Sequence, residues 1–239
     1  MRAQSWPVVA TLILVPLVCW TWIVVLSRDM YGPMTGASAW MMTTVWDAPH
    51  LFLLWAMWAV MMTGMMLPSA APMIVLAGDG PRPYFLALGY IVVWAAFSAG
   101  ATMLQGLLMR LFLVTPMMEL SSRRVSALLL AVAAVYQLTP LKRACLTTCQ
   151  APMAFLTRRW RSGPFGAFRM GAEHGVYCVG CCWALMLLLF AGGVMNLTVI
   201  GALTLFVAFE KLLPLGPWGP RVSSAALLAL AVVVGFGGR

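Results

Sequence analysis

Long apolar blocks separated by short polar breaks set the pattern of this chain, and no stretch shows the strict alternation of a half-buried strand. Seven blocks predict helices: Val8 to Leu26, Leu51 to Ala77, Tyr84 to Val114, Val125 to Leu138, Ala172 to Met195, Leu197 to Leu213 and Val222 to Phe236. The breaks are marked by Asp29, Pro33 and Gly36, by Gly78 to Pro83, by Pro116, by Pro140, and by Pro214 to Pro220. A helix needs about 20 apolar residues to cross a bilayer core, where only a helix or a closed barrel satisfies its own backbone. The fourth, sixth and seventh blocks are short by that measure. The pattern therefore predicts an all-α, polytopic transmembrane helix bundle of six or seven spans, forming one domain over residues 1–239.

Composition agrees. The 239 residues are 63% apolar and 9% charged, with a mean hydropathy of +0.94, whereas a soluble domain is nearer half apolar and a quarter charged. A soluble globule, a disordered tail and a nucleic-acid binder are excluded, because a soluble fold of this length has no place to hide so much apolar surface. The net charge of +9 comes from 15 Lys and Arg against 6 Asp and Glu, dispersed between the apolar blocks. Such residues read as topology signals and contacts to lipid headgroups. The first block follows Met1 and Arg2 but no small-residue cleavage site follows it, and Val18 stands before Cys19 where a lipoprotein signal has a small residue. It is expected as a retained helix. With the N-terminus cytoplasmic, ten basic residues fall inside and five outside, and six of the ten lie in a basic cytoplasmic loop at about 140–171.

Five of the six cysteines lie between Cys145 and Cys182. Cys145 and Cys149 are spaced i, i+4, so a helical turn puts both thiols on one face. His174, Cys178, Cys181 and Cys182 fall within an arc of roughly 100° at the start of the fifth span. One imidazole and several thiols form a soft-metal ligand set, with copper as the expected ion and zinc as the alternative. A disulfide is disfavoured if this face is the reducing side. A second anomaly is the run Met57, Met61, Met62, Met65, Met66 and Met73, at helical spacing. Thioethers bind Cu(I), but methionine also fills helix interfaces, and packing is its expected role. Pro68 and Pro72 either end that span or open a site. His50, with Asp47 just before it, is expected as a polar interface residue on the opposite face. Glu210 and Lys211 are expected to neutralise each other at the end of the sixth span, with a supporting role at the metal site as the alternative for Glu210.

There is no phosphate loop, zinc-protease helix, hydrolase triad or haem-attachment motif. The segments Met65 to Met73, Tyr136 to Lys142 with Cys145 and Cys149, and His174 to Trp183 resemble a bacterial family of predicted metal-binding integral membrane proteins, long catalogued as a domain of unknown function. The resemblance looks full-length. It implies a multi-pass protein of the bacterial inner membrane with a metal site, and the pattern is kept at Cys145, Cys149, His174, Cys178, Cys181 and Cys182. Three functions stay open: soft-metal binding or delivery by these six residues at the cytoplasmic face; a non-catalytic subunit or assembly factor of a larger membrane complex; and an enzyme working by thiol exchange.

Overall fold

The computed structural model describes residues 6–32, 34, 37–41, 47–115, 117–213, 216 and 218–237. The expected breaks at Pro33, Gly36, Pro116 and Pro214, and the basic residues Arg2 and Arg239, lie outside the described residues. Every regular element among the described residues is a helix: α1 (Trp6–Met30), α2 (Ala37–Met41), α3 (Ala48–Leu76), α4 (Arg82–Arg110), α5 (Arg123–Gln137), α6 (Pro140–Gln150), α7 (Pro152–Arg158), α8 (Gly163–Leu187), α9 (Leu189–Gly192), α10 (Leu197–Leu212) and α11 (Trp218–Phe236). The fold is an all-α bundle. Five of its helical stretches are long and apolar enough to cross a membrane: α1, α3, α4, α8 run on through α9, and α11. The α5 and α6 pair adds a sixth if it is one span broken by a 67° bend. The helix α10, with 16 residues, is about 24 Å long, short of a bilayer core of about 30 Å.

The bend between α5 and α6 follows from Thr139 and Pro140. The Thr139 hydroxyl caps α6 by accepting from the Lys142 N–H at 3.3 Å, and Pro140, without an N–H, suits the first turn of a new helix, where that N–H would have no partner. The stretch 140–171, expected as a loop, is thus helical for most of its length, because α6 and α7 fold back onto the bundle and α8 begins at Gly163 rather than Ala172. Its charges do not stop α8: Glu173 meets Arg161 at 2.7 Å, Arg159 at 3.7 Å and Arg169 at 3.8 Å, and no charged residue follows until Glu210. Pro68 and Pro72 likewise do not end α3, which continues to Leu76.

The most extensive helix pairing is α4 on α8. It depends on two glycines, since a Cβ at Gly89 would run into the Phe168 carbonyl oxygen and one at Gly171 into the Leu86 carbonyl oxygen. Small residues that let backbones meet are a main source of helix association in lipid. Gly171→Ala is expected to force the pair apart and to destabilise the fold by about 1–3 kcal/mol. A shift in the unfolding midpoint in mixed micelles measures this, and wild-type stability in that variant would contradict the close approach.

The two ends of the bundle differ. At one, the ends of α1 and α8 and the 111–122 segment meet: Ser27 Oγ donates to the Met195 carbonyl at 2.8 Å, Leu120 N–H to the Phe190 carbonyl at 2.8 Å, and Tyr31 OH to Glu119 at 3.3 Å. At the other, the end of α3, the start of α4, α6, α7, the first half of α8 and the end of α10 converge around the cysteines. Between them the core is filled by Trp58, Trp94, Met186 and Phe190, all at most 1% exposed. Trp58 packs its ring 5.3 Å from that of Phe190 and donates its indole N–H to Gln105 Oε1 at 2.8 Å.

Candidate metal centre

The helix α8 supplies His174, Cys178, Cys181 and Cys182, all buried, as a helix face turned inward requires. The helix α6 supplies Cys145 and Cys149. Its approach to α8 is permitted by Gly180, where an added Cβ would stand 2.8 Å from Cys145 Sγ. The Tyr136 hydroxyl, just before the bend, donates to the Gly180 carbonyl. Cys145, about thirty residues before the α8 cysteines in sequence, therefore packs against the helix that carries them.

Cys178 is buried. Lys211 Nζ donates to its sulfur at 2.9 Å, and Tyr90 OH lies 2.9 Å from it on another side. The Tyr90 hydroxyl donates to the Met66 carbonyl at 3.0 Å. The same lysine donates to Ser69 Oγ at 2.9 Å and lies 4.0 Å from Met66 Sδ. Cys181 and Cys182 turn their thiols back onto the Cys178 carbonyl, at 3.1 and 2.8 Å. Such local bonds are the default for a thiol in a dry helix and are given up when sulfur binds a metal.

His174 is 4% exposed, and its Nδ1 is buried without a hydrogen-bond partner. Its ring packs on Phe155, centroids 5.3 Å apart, and on Tyr90 at 6.0 Å. It borders a cavity of about 210 Å³ together with Cys149, Met73, Ser69, Pro72 and Lys211. An imidazole with an unpartnered buried nitrogen, in a residue that borders the same cavity as a thiol and a thioether, is a candidate soft-metal donor. Among the described residues, no three His, Cys, Asp or Glu side chains stand together as a ready-made cage for an ion.

The pairing expected within Glu210 and Lys211 does not form. Adjacent residues on a helix point about 100° apart, so Lys211 reaches Cys178 while Glu210 turns to Lys142, 2.6 Å away. The Glu210 carboxylate also accepts from Gln137 at 3.1 Å and Ser223 at 3.0 Å. Sequence reasoning missed Tyr90 and the contact of Lys211 with Cys178; a lysine among apolar residues at a span's end was the signal for the second, and nothing marked Tyr90. The methionines of α3 are buried as packing residues, apart from the contacts of Met66 with Lys211 and of Met73 with the cavity. His50 lies at the start of α3, where the Asp47 carboxylate caps the helix by accepting from the His50 N–H at 3.0 Å. Its ring meets the Trp40 carbonyl at 3.1 Å.

Residues 55–234, three-quarters of the chain, match the family described as PpoB2, copper chaperone. The chain belongs to this family. The matched region starts in α3 and ends in α11, so it includes every cysteine of the cluster, His174 and Lys211. A metal-binding family was the expectation from the sequence motifs, and membership in a copper chaperone family supports copper binding or delivery for the chain. Copper in a chaperone is cargo, and the thiol, thioether and imidazole donors of the cluster suit Cu(I). No curated protein and no solved structure matches the chain.

Proposed function

We propose that this PpoB2 chain is a single-domain, multi-pass membrane protein over residues 1–239 that takes up Cu(I) at the α6 and α8 cluster and passes it to an acceptor. The observation that carries the reading is His174, whose buried Nδ1 has no hydrogen-bond partner, bordering the same cavity as Cys149 and Met73. Cu(I) is content with two or three soft ligands, so His174 and Cys149, joined by Cys181 from the same face of α8 as His174, would hold it. Cys178, Cys182 and Cys145 stand behind them as further thiols, the first freed when Lys211 swings away. Low coordination suits a carrier, which must release what it binds. Adding Cu(I) under reducing conditions to the purified protein and counting bound copper per chain tests the reading. Wild type that stays empty overturns it.

In this reading the protein lies in the bacterial inner membrane with the cluster and the N-terminus on the cytoplasmic side. Support comes from the basic residues of α6, α7 and the start of α8. Lys142 and Lys211 are buried and so carry no headgroup signal, which leaves eight basic residues against five. A cysteine placed at the exposed Ser162 is expected to be protected from membrane-impermeant thiol reagents in intact cells. Labelling from outside would reverse the orientation.

A further inference from the structure

A second cavity, of about 380 Å³, opens on the other side of the α6 and α7 junction from the metal cavity. Thr147, Thr148, Phe155, Arg158, Arg159 and Tyr177 line it. Successive residues of the junction face alternately: Thr147, Thr148 and Ala151 border this cavity, Cys149, Gln150 and Pro152 the metal cavity. Phe155 is the wall between the two, since its ring packs on Tyr177 at 6.2 Å and on His174 at 5.3 Å. Arg158 is exposed and makes no ion pair among the described residues, while Arg159 reaches Glu173 at 3.7 Å. The cavity thus holds an uncompensated positive charge and a phenol, and no acidic side chain lines it.

We infer that this cavity is a docking site for an anionic Cu(I) carrier, a small peptide thiol with free carboxylates whose complex with Cu(I) is negatively charged. The inference rests on the copper-carrier reading and specifies the donor. In reducing solution Cu(I) travels bound to soft thiolates rather than free, so a loading site must attract an anion even though the cargo is a cation. Arg158 and Arg159 grip the carboxylates, and the Phe155 ring, which packs on His174, swings aside to let the docked copper reach His174 and Cys149. Transfer is ligand exchange without redox change. A Cu–S bond to the carrier breaks, Cu–S and Cu–N bonds to Cys149 and His174 form, and the Cys149 proton leaves on the released carrier thiolate.

The test compares two donors on the full-length protein in maltoside detergent, which contains no phosphate: the Cu(I) complex of glutathione, which is anionic, and Cu(I) in acetonitrile, which is not. For Arg158→Glu the ratio of the glutathione loading rate to the acetonitrile loading rate is expected to fall about tenfold or more from wild type, with Arg158→Gln between them, and salt is expected to slow the glutathione reaction of wild type. An unchanged ratio in both variants overturns the docking site while leaving the copper reading intact. Wild type that loads from neither donor defeats the copper reading itself, and this inference with it. A charge reversal that affects loading only after anionic phospholipid is added assigns the cavity to a lipid headgroup and overturns the inference.

Discussion

His174→Ala, Cys149→Ser and Cys181→Ser are each expected to lower the Cu(I) affinity of the reduced protein by more than about tenfold, the least that loss of a direct ligand should cost given that even supporting residues of metal sites cost 10–100-fold. Each substitution removes one donor from a site with few to spare. His174 contributes a buried nitrogen that has no hydrogen-bond partner to give up when it binds copper. Met65→Leu is the comparison. Met65 is buried in α3, and its volume-conserving replacement is expected to cost under about 1.5 kcal/mol of stability and to leave copper binding near wild type. Bound copper per protein, measured in competition with a Cu(I) chelator, decides. Full occupancy in the histidine and cysteine variants would move the site elsewhere.

Glu210→Ala is expected to be the most destabilising single change, at about 3–5 kcal/mol, because it strands the Lys142 ammonium at 0% exposure. It also removes the acceptor of Gln137 and Ser223. The pair ties α6 to α10 and, through neighbouring Lys211, fixes how α10 meets Cys178. Replacing both partners, Lys142→Met with Glu210→Met, is expected to recover most of the loss, since a buried pair can be exchanged for apolar groups at little cost. Unfolding midpoints of the single and double variants check this. A single variant as stable as wild type would show the pair to be exposed.

The helical class and the grouping of cysteines were legible because both follow from local spacing: apolar blocks of bilayer length and cysteines at i, i+4. Ala172 was the wrong start for α8 because hydropathy marks where lipid begins, whereas a helix with Glu173 bonded to three arginines extends beyond it. The bend at Thr139 could be read as a break but not as a return, since its angle is set by what α6 packs against, and the gap at Gly180 that admits Cys145 is a tertiary fact. Tyr90 was invisible for a similar reason. One tyrosine in an apolar span has no periodicity to betray that its hydroxyl meets a thiol from another helix.

If the chain carries copper as proposed, the buried Trp58, Trp94, Met186 and Phe190 beyond the cysteines set the direction of traffic. A transporter needs its site to be reached in turn from both compartments, which means a seam that opens on either side. Here the interior past the thiols is filled by large buried aromatic and thioether side chains, with the Trp58 ring packed on that of Phe190 and its indole bonded to Gln105. On the copper-carrier reading proposed above, copper that enters beside His174 would meet a dead end and leave by the door it came in through. Such a chain would be a berth on one shore of the membrane, and its acceptor would have to come to that same shore.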